Sequence, residues 1–522
     1  MTAHRRPAAP GRRPRRLAGG HLVWPLCLSL LAASAGAQRA PLRGLDAYVA
    51  RAVKEWEVPG LAIAVVKGDS TVYARGFGVR TLGKPEPVDE HTLFAVGSTT
   101  KAMTVAVLAT LVDEGKVRWD EPVTTYLPAF QLHDPYVTRE ITVRDILTHR
   151  SGLPGADALW YASPDDLDAI LRRLRHVKPA SGLRAGYAYQ NIMYATAGRV
   201  AAVAAGAPWD ELVRRRILEP LEMTETLTGY AGLAGRGNVA TPHIRVDDTV
   251  RAIAYRNLDN VAPAGAVNSS VADMAKWIRF LLDSARLRGG PTAGRRLISD
   301  SSYREMLTPQ FLIPSASYYP AAREAHPHFT AYGLGWFLQD YRGRLVAMHT
   351  GSIDGMTAIV GMLPEERLGV VVLANMDHAE LRHALMYRVF DLYLGGPARD
   401  WSAELRGVYG RLDAAAKEAE RTVERGRVAG TRPTLPLDAY AGTYTDSLYG
   451  DVTVRVEGGA LVARHGPMFV GPLEPWHYDT FRAHWRDPAL GRSFITFALD
   501  PARQKVTGAA VVGLGDFVRG RE

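Results

Sequence analysis

Cysteine is almost missing from this chain: among 522 residues there is one, Cys27. It lies in an N-terminal stretch that reads as removable, which leaves the rest of the chain without any. That excludes a disulfide framework, a cysteine nucleophile and thiolate metal sites. Lysine is scarce too, nine residues against 54 arginines, a bias we attribute to codon usage rather than chemistry. No apolar run of membrane-spanning length follows the N-terminus. The first 37 residues hold no acid, yet contain Arg5, Arg6, Arg12, Arg13, Arg15 and Arg16. Those six account for most of the formal charge of +9 and leave about +3 elsewhere, so no nucleic-acid partner is expected. With 47% hydrophobic and 22% charged residues, the chain is neither disordered nor collagenous. It is long enough for roughly two or three domains.

The N-terminus has the order of a secretory signal. The arginines end at Arg16, an uncharged and mostly apolar run spans Leu22–Ala35, and Ala35-Gly36-Ala37 is a small-x-small cleavage site. The run is short for a membrane span, so cleavage after residue 37 is expected. Pro25 and Leu26 precede Cys27 where a lipoprotein signal would have small residues. An exported protein, periplasmic or extracellular, is the expectation, with no membrane span after cleavage.

Residues 41–56 pattern as a helix. Gly60–Val66 and Ser70–Val79 pattern as strands around a Gly68-Asp69 turn. A helix is expected over 98–114, with Ser98 as its cap and Gly115 as its end. Others are expected near 164–176, 191–205 and 270–287, the last with Asp273 in its first turn. From Tyr332 the runs are short and β-like again, and a helix follows at 380–394. Strands at both ends of a region and helices in its middle predict an α+β fold: an antiparallel sheet flanked by helices, with an inserted, mostly helical lobe. Residues 401–428 read as a charged helical connector, 431–436 as a break, and the last ~85 residues as a small all-β barrel or sandwich.

Three short motifs carry possible chemistry. Ser98-Thr-Thr-Lys101 places a hydroxyl and an amine on one helical face, a turn apart. The amine can ease formation of the alkoxide or, when neutral, accept its proton. Tyr189-Gln190-Asn191 precedes a helical pattern. A tyrosine near a lysine ammonium can have its pKa lowered enough to shuttle a proton, and the asparagine amide can bond lysine and substrate. His349-Thr350-Gly351-Ser352 ends a strand-like run, where glycine permits close backbone approach and the Ser352 amide could join that of Ser98 as an oxyanion pair. Each motif alone has a plainer reading: a capping serine, a packed aromatic, a structural histidine.

In this order the three motifs resemble the penicillin-recognising serine hydrolases, most closely the branch of class C β-lactamases, DD-peptidases and esterases. Supporting segments are Gly115-Lys-Val-Arg-Trp-Asp-Glu-Pro-Val123, Leu147-Thr-His-Arg-Ser-Gly-Leu-Pro154, Tyr332-Gly-Leu-Gly-Trp336 and Leu373-Ala-Asn-Met-Asp377. The resemblance covers residues 41–395. Residues 396–433 would be a linker. Residues 434–522 are similar to the lipocalin-like β-domain often appended to this family, through Tyr440-Ala-Gly-Thr-Tyr444 and Tyr449-Gly450. Its expected job is a ligand pocket, an oligomer contact, a lid limiting substrate size, or passive packing.

The resemblance implies that Ser98 is the nucleophile, Lys101 its activator, and Tyr189 the general base for attack and acid for the leaving group. It implies that Asn191 orients the substrate amide, that His349, Thr350 and Gly351 lie on the strand edge receiving substrate, and that the amides of Ser98 and Ser352 form the oxyanion hole. His149, Arg150 and Ser151 are expected to stabilise a loop. No metal or cofactor is expected. Where class C β-lactamases have Lys-Thr-Gly, this chain has His349, as on the DD-peptidase and D-aminopeptidase side. A neutral imidazole anchors a substrate carboxylate poorly, so little β-lactam turnover is expected. The resulting expectation is a serine hydrolase acting on amides or esters, foremost short peptides with D-residues. A β-lactamase, a carboxylesterase, or a penicillin-binding sensor with little turnover are the alternatives.

Overall fold

Gly68 adopts a positive φ of 65°, which turns an apolar strand, β1 (Gly60–Lys67), back into β2 (Ser70–Gly78). The turn was legible as Gly-Asp between two β-like runs. The structure, a computed structural model, describes residues 40–287, 294–396 and 398–520. The expected export signal and Cys27 lie outside them. After β2 the chain leaves the sheet over residues 79–310 and returns as β3 (Phe311–Leu312), β4 (Thr330–Tyr332), β5 (Phe337–Tyr341), β6 (Arg344–Ile353), β7 (Met356–Leu363) and β8 (Leu368–Ala374). The spatial order is β2-β1-β8-β7-β6-β5-β4-β3. Every neighbouring pair is antiparallel, and β1 lies against β8 with Ile63 opposite Val372.

Six helices matter for the site: α1 (Leu45–Glu55), α2 (Thr100–Asp113), α3 (Asn191–Ala205), α4 (Val271–Leu282), α5 (Leu381–Leu394) and α6 (Trp401–Arg425). Two glycines show how the sheet is covered. A side chain at Gly361 would strike Met386 and Phe390 of α5, and one at Gly369 would strike Ile278 and Leu282 of α4. Gly369 pairs with Met362, the neighbour of Gly361 along β7. Adjacent residues of a strand face opposite ways, so α4 and α5 cover opposite faces. Every residue of β7 and β8 is accordingly buried. This two-sided burial is why these strands read as continuous apolar runs rather than alternating ones.

Helix α2 is buried from Thr100 to Leu111. Its approach corrects one expectation: Ser98 does not cap it. Gly97–Thr99 form a single tight helical turn, and no side chain caps the α-helix that follows. Helix α4 is shorter than the pattern suggested. Ser270 caps it by accepting from the Asp273 N–H, and Ser284 and Ala285 beyond its end take positive φ. Asp273 lies in the first turn as expected, buried and accepting from the N–H groups of Glu225 and Thr226. Helix α6 buries only Trp401, Ser402 and Leu405. Trp401 Nε1 donates to Asp391 of α5 over 2.8 Å, which fixes the helix at its root.

Beyond α6, eight antiparallel strands between Gly442 and Arg519 close into a barrel, with Tyr444 of the first opposite Arg519 of the last. Closure resolves the choice between barrel and sandwich, and it removes the sheet edges. Tyr440, Tyr444, Phe481 and Phe497 fill the interior. Among the described residues no helix is long and apolar enough to cross a membrane.

Gly361→Val drives a side chain into α5 and is expected to cost about 1–3 kcal/mol of stability. The check is the midpoint of urea unfolding. An unchanged midpoint would contradict the close packing of α5 on this face.

Candidate active site

Two glycines bring the distant motifs together. Gly97 has a φ of 51°, and a Cβ there would sit 2.8 Å from the Ser352 nitrogen. A Cβ on Gly351 would overlap the Val96 carbonyl and lie 3.1 Å from the Ser98 nitrogen. Only a crossing of two bare backbones lets the Gly97–Thr99 turn lie against β6. The crossing sets the amides of Ser98 and Ser352 side by side. Beside them is a cleft lined by Ser98, Trp160, Asn191, Ala264 and Ser352, among others.

Lys101 is the hub of this cleft. Its Nζ lies 2.8 Å from Ser98 Oγ, 2.8 Å from Asn191 Oδ1 and 2.9 Å from the Ala264 carbonyl. The side chain is fully buried. Burial pushes its pKa well below the ordinary 10.5, with Asp157 opposing. A neutral amine has two N–H groups and one lone pair. Asn191 Oδ1 and the Ala264 carbonyl can only accept, so they take the two N–H groups. In the neutral form the lone pair faces Ser98, the one of the three partners that can also donate.

Asn191 opens α3, where the Gln190 side chain accepts from the Ile192 N–H. His149 holds the approach to this helix. Its Nδ1 accepts from the Gln190 N–H over 3.0 Å, its carbonyl accepts from Ala188, and its ring lies 4.2 Å from that of Tyr189. Arg150 and Arg184 both pair with buried Asp145, so the expected loop-stabilising segment does brace the loop.

Tyr189 corrects a second expectation. Lys101 Nζ stands over its ring, 4.8 Å from the centroid. The phenol is nevertheless pushed well above its ordinary pKa of 10.0, by burial first and Tyr319 next, against the hydrogen bond with Ser98. The same desolvation that raises the tyrosine lowers the lysine, so burial biases both groups toward their uncharged forms.

His349 is placed differently from a residue that greets substrate. It is 1% exposed. Its Nδ1 donates to the Thr350 carbonyl over 2.7 Å, and its Nε2 accepts from the Tyr332 hydroxyl over 2.8 Å. Burial, with Lys101 nearby, pushes its pKa down to about 3. Both nitrogens are thus spent inside the protein, and the imidazole buttresses β6 from within. Thr350 is also largely enclosed, its Oγ1 2.6 Å from the Tyr319 hydroxyl.

Several neighbours had no signal in the sequence. Arg382 is buried and donates to the Gly351 carbonyl, to Ser352 Oγ at 2.9 Å and to the Ala358 carbonyl, holding the end of β6. Glu380 neutralises it at 2.9 Å. Arg256 spans Asp354, in the turn after β6, and Asp487 of the barrel, while Tyr161 donates to the same Asp354. Tyr449 of the barrel packs against both hydrophobic cores, and Arg173 donates to the Leu448 carbonyl over 3.3 Å. The barrel therefore docks beside the cleft. Asp157 Oδ1 accepts from Trp160 Nε1 at 2.7 Å and Asn191 Nδ2 at 3.2 Å. Each of these is a common residue type at no diagnostic spacing. Among the described residues no group of three or more His, Cys, Asp or Glu could hold a metal ion.

Known proteins share this architecture. Residues 45–393 match the family model described as beta-lactamase, and residues 426–512 match a domain of unknown function, DUF3471. The unguisins hydrolase ungD of Aspergillus violaceofuscus is 32% identical over 440 residues, 78% of this chain and 76% of that protein. Protein flp of Staphylococcus aureus is 21% identical over 340 residues, 64% of this chain and 63% of its own length. Among solved structures, the octameric penicillin-binding protein homologue from Pyrococcus abyssi superposes with a TM-score of 0.60 at 21% identity, covering 92% of this chain and 100% of that one. The penicillin binding protein from Bacillus halodurans gives 0.53 at 20% identity, covering 66% of this chain and 97% of its own. A family match across the whole sheet-and-helix region, together with a relative 32% identical over most of both chains, establishes that this chain belongs to the β-lactamase family, whose members are serine hydrolases.

Proposed function

We propose that the protein is a serine hydrolase that forms an acyl-enzyme at Ser98 and cleaves amide or ester bonds, foremost in short peptides with D-residues. The observation that carries this reading is the 2.8 Å contact between Ser98 Oγ and a buried Lys101 whose other hydrogen-bond partners can only accept. That arrangement leaves a lone pair for the serine proton and makes Lys101, rather than Tyr189, the base for attack. Export through residues 1–37 belongs to the same proposal and rests on their sequence.

The steps balance with this chain's own residues. Ser98 passes its proton to Lys101 as Oγ bonds to the substrate carbonyl carbon. The resulting oxyanion sits against the amides of Ser98 and Ser352. As the scissile bond breaks, the Tyr189 phenol gives its proton to the departing nitrogen or oxygen. The Lys101 ammonium, whose Nζ stands over the Tyr189 ring, then gives its proton to the phenolate and leaves both groups neutral. Water attacks the acyl ester with its proton going to Lys101, and Ser98 leaves by taking that proton back. Arg382 and the two-glycine crossing hold the oxyanion amides in place throughout. The relative named for hydrolysing unguisins supports the hydrolytic reading.

Ser98→Ala is expected to abolish both hydrolysis of a short-chain aryl ester and covalent labelling by a fluorophosphonate, read by intact mass. Turnover near wild type in this variant would contradict the reading. Lys101→Ala is expected to cost about 10²-fold or more in kcat/KM. His349→Asn, which removes a buttress rather than a reacting group, is expected to cost much less. A kinetic comparison with the opposite order would overturn the assignment of roles.

A further inference from the structure

The basic side chains around Ser98 are already spent. Lys101 is desolvated and hydrogen-bonded on every side. His349 uses both nitrogens internally. Arg382 is paired with Glu380 at 2.9 Å, and Arg256 lies between Asp354 and Asp487. None is placed to receive a substrate carboxylate, whose desolvation would then go uncompensated.

Asp157 is the opposite case. Its carboxylate is exposed to solvent. Its hydrogen-bond partners among the described residues are two neutral N–H donors, Trp160 Nε1 and Asn191 Nδ2. Both of those residues line the Ser98 cleft. No lysine, arginine or histidine among the described residues pairs with it. Its field reaches Lys101, Tyr189 and, from the barrel, Tyr449. An anion with both its bonds made to neutral donors keeps its full charge for a ligand. It lies one hydrogen bond from Asn191, at 3.2 Å.

The direction of a peptide decides which end this charge reads. In a short peptide the ammonium belongs to the acyl fragment and the carboxylate to the leaving fragment. We infer that Asp157 is a specificity-determining residue that binds the N-terminal ammonium of the substrate, so that the enzyme works from the amino end of short peptides and disfavours substrates bearing a carboxylate beside the scissile bond. The inference rests on the acyl-enzyme reading at Ser98.

The test compares two phosphonate diphenyl esters that mimic an alanyl residue, one with a free amine and one N-acetylated, at neutral pH. Each labels a reactive serine covalently, so no natural substrate is needed. On the wild-type protein the free amine is expected to react about tenfold faster. In Asp157→Asn, which can still accept from Trp160 and Asn191, the ratio is expected to fall to about one. In Asp157→Lys an N-succinyl reagent is expected to become the fastest of the three. A wild-type ratio of one or less, a ratio preserved in Asp157→Asn, or failure of both alanyl reagents to label would overturn the inference. An uncharged fluorophosphonate run alongside separates the two readings. If it labels wild type and not Ser98→Ala, the acyl-enzyme reading stands and the failure belongs to Asp157 alone. If it labels both proteins equally, the Ser98 reading itself fails.

Discussion

A lysine side chain enclosed by protein loses its charge unless something compensates for the water it gave up. At Lys101 the compensation is partial. Asp157 favours the ammonium from outside, while the immediate shell offers one amide oxygen, one carbonyl and one hydroxyl. Two of those must accept, so the amine is directed toward the third. Helix α2 is buried along most of its length, the Gly97–Thr99 turn is pressed against β6, and α3 begins at Asn191. Each of these places one acceptor or the hydroxyl around a single nitrogen. The same desolvation raises Tyr189 and lowers His149 and His349. Burial therefore biases all four titratable groups of this cluster toward their uncharged forms.

The frame that holds this cluster is rigid for identifiable reasons. Helices α4 and α5 cover opposite faces of the central strands, so β6 to β8 cannot shift register without exposing apolar side chains. Gly351 and Gly97 remove the only side chains that would keep turn and strand apart. Arg382 ties the Gly351 carbonyl of β6 to that of Ala358, its partner on β7, and Glu380 keeps that buried guanidinium from standing alone. The barrel enters the same network through Arg256, which links its Asp487 to Asp354 in the turn that ends β6.

Much of this was legible in the sequence, and the reasons are physical. Strands buried on both faces become apolar runs, so β1, β7 and β8 stand out, and glycine turns mark their ends. The alternating runs of the last ~85 residues gave the β-domain, though only the pairing of Tyr444 with Arg519 distinguishes a barrel from a sandwich. The three motifs converge because their residue types have few other uses in that order. Environment was not legible. Nothing in Ser-Thr-Thr-Lys says that the serine leaves the helix uncapped, or that the lysine is dry enough to be neutral. Nothing in His-Thr-Gly-Ser says that the imidazole turns inward to Tyr332. Asp157, Arg256 and Arg382 are common residues whose meaning comes only from what lies beside them in space.

In the proposed function an uncharged Lys101 activates Ser98. The rate at which a fluorophosphonate labels Ser98, followed across pH, reads that ionisation without any substrate. The expected rate rises once and levels off at a midpoint well below 10.5, the ordinary lysine value, with that rise absent in Lys101→Ala. A wild-type rate that keeps climbing through pH 10.5 would mean that the amine stays charged in the cleft, and it would contradict the account.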